Sequence, residues 1–216
     1  MFGIIEGAII GAAVGLVVSL VMLLKRKGLR TRFLRALKEA GPGAARALLD
    51  QKLPPLRKIP LGKILDQRER MAALTVLGDT DAILAEIAEH RGPLTCTVQV
   101  GAIGLLGVTL RGDAAEGARR LDELASKMEL EGGRTMALVK KKTRALATLA
   151  RAMADGEPIP SDVRLSLESF TGDGGMVQLL VWQATAVALE KTGGEQQAAG
   201  LRAKVRAMTG AFDDNR

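Results

Sequence analysis

Tyrosine is absent from this 216-residue sequence, tryptophan, cysteine and histidine occur once each, and aromatic residues make up only 2%. Each shortage closes off a class of function. A single cysteine, Cys96, excludes an internal disulfide and fits a reducing compartment. One cysteine and one histidine cannot supply the usual zinc ligand sets, so no metal site is expected. His90 falls at a predicted helix C-terminus just before Arg91-Gly92-Pro93, where capping and the helix dipole account for it. Cys96 falls in an apolar helical run, where a thiol serves as a small hydrophobe. No catalytic set, cofactor motif or metal cluster emerges, and the chain reads as a non-enzyme. Without aromatics or a recognition motif, nucleic acid is not an expected partner. The core must be built from Leu, Ile, Val, Met and especially Ala. Such small faces suit closely stacked helices better than a β-sandwich.

What the sequence does have begins at its N-terminus. Ile4 to Leu24 is a run of twenty-one residues with one charge, Glu6, followed directly by Lys25-Arg26-Lys27. As a helix it would span ~31 Å, about the hydrocarbon thickness of a bilayer. No side-chain cation precedes it, and it ends Val21-Met22-Leu23-Leu24 with no small-x-small cleavage site. The pattern predicts an uncleaved single-pass anchor rather than a signal peptide. Cations on its C-terminal side predict an external N-terminus and a cytoplasmic remainder. The abundance of Ala, Arg and Gly suggests a bacterial inner membrane. Gly3, Gly7, Gly11, Gly15 and Ser19 recur every fourth residue and place one small-residue stripe along the helix. That small-xxx-small spacing resembles a glycine zipper and predicts association with itself or with a partner helix. Glu6, one turn in, is expected to reach the headgroups.

The net charge of +7 is local. Lys25 to Lys58 carry eleven Lys/Arg against two acids, whereas residues 59–216 carry 20 against 21. Lys25, Arg26, Lys27, Arg30, Arg32 and Arg35 are therefore expected to fix topology and to meet anionic headgroups, at ~1 kcal/mol each near the surface. Leu29 to Ala40 reads as a basic amphipathic helix with Leu29, Phe33, Ala36, Leu37 and Ala40 on one side. It could lie on the membrane or cap the domain behind it. Gly41-Pro42-Gly43 is expected to break it before a short helix from Ala44 to Gln51. Leu53-Pro54-Pro55 through Pro60 should run extended as a spacer.

From Leu61 onward four helical hairpins are predicted. They pair Leu61–Leu77 with Asp79–His90, Leu94–Leu110 with Asp113–Glu129, Arg134–Ala154 with Ser161 to about Phe170, and Gly175–Lys191 with Glu195–Met208. Apolar spacings of three and four support them, as in Ala114, Ala118, Leu121, Ala125 and Met128. Asp113 with Glu116 has the chemistry of a capping box. Gly78-Asp79 and Gly112-Asp113 lie 34 residues apart, and each closes an apolar helix and opens a charged one. The period, the Gly-Asp turn and Pro93 near a repeat end resemble the tetratricopeptide family over about residues 78–130. The resemblance implies an α-solenoid that binds peptides or proteins along an extended surface. The family's large aromatic positions are missing, and the later spacings, 44 and 38 residues, are irregular.

The expected architecture is thus all-α: an anchor over 1–27, basic juxtamembrane helices and a Pro-rich linker over 28–60, stacked hairpins over 61–210 and a tail over 211–216. A compact helical bundle is the alternative to the solenoid. Residues 92–110 contain no charge and compete as a second membrane span, although Gln99, three Thr and four Gly favour a buried helix. Thr171-Gly172-Asp173-Gly174-Gly175 reads as a turn, since no strand precedes it and no Gly-Lys-Ser/Thr follows. Lys140-Lys141-Lys142 reads as a solvated face, and Trp182 as core or as an anchor in a concave surface. The functional expectation is an adaptor or scaffold at the membrane, with protein partners on the helical domain, anionic lipid at the collar and a partner or self-associated helix in the membrane. The alternative is an oligomeric pore or transport subunit built on the glycine stripe.

Overall fold

The computed structural model describes residues 30–50, 60–89, 94–129, 134–168 and 175–210. Within them the protein is all-helical, with nine helices and no strand. Helix α1 covers 30–50, and α2 (Pro60–Leu77), α3 (Thr80–Glu89), α4 (Leu94–Arg111) and α5 (Ala114–Glu129) follow. Then come α6 (Arg134–Asp155), α7 (Ser161–Glu168), α8 (Met176–Lys191) and α9 (Glu195–Thr209). The four predicted hairpins correspond to α2–α3, α4–α5, α6–α7 and α8–α9. The predicted membrane helix lies outside the described residues, and so do Gly3, Gly7, Gly11, Gly15, Ser19, Lys25, Arg26, Lys27 and His90.

Local chemistry sets the hairpin turns. Gly78 ends α2 in the left-handed region, at φ +73°, which costs a residue without Cβ nothing. Asp79 then starts α3, its Oδ1 accepting from the Ala82 N–H at 3.0 Å. Asp113 does the same for α5, accepting from the Glu116 N–H at 3.0 Å. Each aspartate satisfies one of the donors that a helix start leaves orphaned. The predicted capping box forms only in this half. The Glu116 carboxylate accepts instead from Arg119 at 2.7 Å and Arg120 at 2.8 Å, because charged donors make the stronger bonds.

The expected break at Gly41-Pro42-Gly43 is milder than predicted, since helix is assigned throughout 30–50. Gly41 takes φ +83°, the conformation of a helix C-terminal cap. Pro42 then falls where a following turn needs no N–H donor. Of the two placements open to this segment, its side chains answer for the domain. Phe33, Leu37, Ala45 and Leu49 are all buried in the main core cluster. Arg46 reaches Asp79 at 2.5 Å, and Arg70 of α2 donates to the Leu49 carbonyl at 2.5 Å.

The leading helices of the four pairs sit inside. Helix α4 meets α2, α3, α5, α6 and α8, and α8 meets α2, α4, α6 and α9. Helices α2 and α8 also touch, so the first and last pairs share one core. Met176 to Val181 are six consecutive buried residues, as expected of a helix start enclosed by several neighbours. Likewise α4 buries Ala102, Ile103, Leu105 and Leu106. The uncharged run 92–110 is therefore a core helix over its described part. No helix among the described residues is long and apolar enough to cross a membrane.

Close approach makes this aromatic-poor core work. A Cβ at Gly107 of α4 would collide with Thr75 of α2, at 2.7 Å from its Cβ. A Cβ at Gly117 of α5 would collide with Thr109 of α4, at 2.9 Å from its Cβ. Both threonines are buried and return their hydroxyls to their own helices. Thr75 donates to the Ala72 carbonyl and Thr109 to the Leu105 carbonyl, so no polar group is stranded.

Candidate binding cleft

Helix α7 packs on α6 and α9 packs on α8. An open cleft of about 550 Å³ remains, floored by α8 and walled by α7 and α9. The floor is one face of α8: Gln178, Val181, Trp182, Thr185 and Leu189, spaced three and four apart. Arg164, Leu167 and Glu168 form the α7 wall, and Gln197, Gly200, Leu201 and Lys204 form the α9 wall. Val181, Leu167 and Leu189 are buried, so the bottom is apolar. Arg164 and Lys204 put a cation on each wall, with Glu168 one turn from Arg164.

Trp182 defines the character of the cleft. It is half-buried, packed against the core on one side and lining the cleft on the other. The Lys204 ammonium sits 5.7 Å from its ring centroid, within cation–π range. The α9 wall is positioned by a fork on the outer surface, where Arg202 donates to the two Glu190 carboxylate oxygens at 2.7 and 2.8 Å. That contact holds the Glu190 carboxyl below its ordinary range. Gly200 leaves the cleft accessible, since a Cβ there would meet nothing within 4 Å. The arrangement can grip an apolar or aromatic side chain and pair with flanking carboxylates. It holds no nucleophile–base pair.

Of the sequence-predicted residues that the structure describes, Trp182 alone lines this cleft. Arg32 and Arg35 are exposed and Arg30 is partly buried, all on α1. In the lysine run, Lys141 is exposed and Lys140 and Lys142 are partly buried on α6, near the exposed Leu138. Cys96 belongs to α4. Thr171 to Gly174 lie outside the described residues. Gly175 is the N-cap of α8 and is buried with Met176, so that helix start is no open phosphate cradle. Among the described residues no group of three or more His, Cys, Asp or Glu is placed to hold a metal ion.

Trp182 was the one cleft residue singled out by sequence, as core or concave anchor, and it serves on both sides. Gln197, Gly200, Leu201 and Lys204 share a face of α9 by spacing, but only the structure shows that this face borders a gap. Comparison with protein-family models, with curated proteins and with solved structures gives no match.

Proposed function

We propose that this protein is a single-pass membrane adaptor whose helical domain, on the cytoplasmic side, docks a protein partner in the α7–α8–α9 cleft. The cleft carries the reading: an accessible, apolar-floored groove with an aromatic anchor and a cation on either wall. Grooves of this kind accept an amphipathic segment, apolar residues down and charges at the rim. The anchor is the run Ile4–Leu24 with its basic stop, and the stripe Gly3, Gly7, Gly11, Gly15 and Ser19 associates with a like or partner helix. The contact between α2 and α8 favours a compact helical bundle over an open tetratricopeptide-like stack. The Gly-Asp turns are what the two architectures share.

The test is a photo-crosslinking amino acid in place of Gly200, expressed in the native membrane, with mass-spectrometric identification of what is captured. A discrete adduct that disappears in Trp182→Ala and in Lys204→Glu is expected. An adduct pattern that ignores both substitutions removes the cleft from the function. The membrane stripe is tested separately by oligomeric state in detergent. Gly7→Leu with Gly11→Leu should dissociate an assembly that the unaltered chain forms, and a monomeric unaltered chain ends the zipper reading.

A further inference from the structure

The floor of the α7–α8–α9 cleft carries two polar side chains of opposite standing. The Thr185 hydroxyl donates to the Val181 carbonyl at 2.7 Å and is satisfied within α8. Gln178 is nine-tenths buried and borders the same cleft, yet its side-chain amide makes no hydrogen bond among the described residues. A primary amide offers both donors and an acceptor, and leaving them unmet in an apolar floor is costly. On the walls, Arg164 and Lys204 are exposed, and neither meets a carboxylate among the described residues. The Lys204 ammonium lies instead over the Trp182 ring. Glu168, the acid on this lining, is already engaged in an interaction of its own. Two cations and one buried amide are therefore open to a ligand.

These groups discriminate between shapes of ligand. A helical segment spends its interior N–H and C=O groups on itself and would bring only side chains to Gln178. In an extended segment, the N–H and C=O of one residue can both be exchanged with a facing amide, as in a hydrogen-bonded strand pair. The Gln178 amide presents the same donor and acceptor. From Gln178 to Leu189 the floor runs ~16 Å along α8, the length of about five extended residues.

We propose that the cleft takes an extended, acidic segment of a partner protein. The ligand's backbone pairs with the Gln178 amide, an apolar side chain lies on Trp182, and carboxylates meet Arg164 and Lys204. The proposal rests on reading this cleft as the docking site, and it adds the conformation and charge of what docks. Charge is read at the exposed rim and backbone at the buried floor, so the two can be removed separately.

Trp182 is the only tryptophan in the chain, so its emission reports occupancy of the floor. The full chain in detergent is titrated with a capped pentapeptide that has phenylalanine at its centre and glutamate on either side. A saturable change in emission is expected. Lysine in place of glutamate in the peptide, or R164Q/K204Q in the protein, should weaken binding about ten-fold or more. Methylating the peptide's backbone nitrogens one at a time should weaken it about ten-fold at one position, and Gln178→Met should erase that sensitivity. A lactam-bridged helical peptide with the same phenylalanine and glutamates that binds as tightly overturns the extended mode and leaves the docking site standing. Methylation sensitivity that persists in Gln178→Met does the same. Should that variant fail to fold, equal binding of every methylated peptide by the unaltered protein still overturns it. No emission change with any peptide, while the crosslink at Gly200 still depends on Trp182, overturns the proposed ligand alone. A crosslink that ignores Trp182 as well ends the docking site together with its ligand.

Discussion

Helices α1 and α4 are the two described segments that the sequence would allow at a membrane, and both are core elements, but they reach the core differently. Helix α4 gives up every face. It carries no charge before Arg111 and is surrounded by five helices. Helix α1 gives up one face and keeps the other, with Phe33 and Leu37 inside and Arg32, Arg35 and Lys38 outside. The difference teaches what hydropathy alone cannot. A long uncharged run reports only that water is excluded, whether by lipid or by protein. A basic amphipathic helix reports two surfaces, and its apolar half can be satisfied by protein while its charged half stays available.

The largest effects should come from emptying the core positions of both helices. Phe33 is the only aromatic residue among the fully buried side chains described, and Leu106 is its counterpart in α4. Phe33→Ala should lower unfolding free energy by about 3–5 kcal/mol and Leu106→Ala by about 2–5 kcal/mol, from lost burial plus the cavity left behind. Urea denaturation measures both. If Phe33→Ala costs under about 1 kcal/mol, α1 is not part of the cooperative core and the comparison collapses.

Close approach gives the next effect down. Gly107→Ala in α4 forces a methyl onto Thr75 and should cost about 1–3 kcal/mol, even though alanine is the better helix former. Gly200→Ala in α9 meets nothing and should gain up to about 1 kcal/mol. Opposite signs from one chemical change would mark the α4 glycine as a packing device. Equal signs would mean that α4 shifts freely against α2.

These positions show how far the sequence could be read. The hairpin limits were legible because Gly78, Asp79, Gly112 and Asp113 act locally, through backbone freedom and side-chain caps. The outer helices were legible because one wet face leaves a period, as in Ala118, Leu121, Ala125 and Met128. The inner helices α4 and α8 were legible by their turns and their lack of charge rather than by a period, since α8 buries Met176 through Val181 without a gap. The contact of α2 with α8 joins residues about a hundred positions apart and depends on summed crossing angles that no local pattern encodes. The cleft was hidden for a related reason. Its walls come from α7 and α9, whose mutual distance follows from how each packs on a different inner helix.

A smaller effect is expected from the charges of the outer helix α5. Glu116 is held at about 2, from an ordinary 4.5, first by its hydrogen bond from Arg119 and then by that from Arg120. A carboxyl depressed in the folded state stabilises the fold above its ordinary value and loses that contribution as pH falls through the folded one. Glu116→Gln should therefore lower stability slightly at pH 7, converge with the unaltered protein near pH 2, and so flatten the profile between pH about 4.5 and about 2. The site is open to solvent, so the effect should shrink further in salt. An unchanged acid slope in urea midpoints would show that this cluster contributes nothing to the fold.

The smallest effect on stability belongs to the outward face of α1, and its smallness is informative. Arg35 and Lys38 are exposed, and neither makes an ion pair among those described. Arg35→Gln with Lys38→Gln should change unfolding free energy by no more than about 0.5 kcal/mol, because surface substitutions away from caps, cores and networks rarely do more. Glutamine keeps the helix propensity and the stem that packs toward Gly210. A loss of several times that size would mean that these cations hold the fold together, and the contrast with α4 would reduce to two modes of core packing. A neutral result means that α1 holds to the domain through Phe33 and Leu37, and that Arg35 and Lys38 contribute little to the fold.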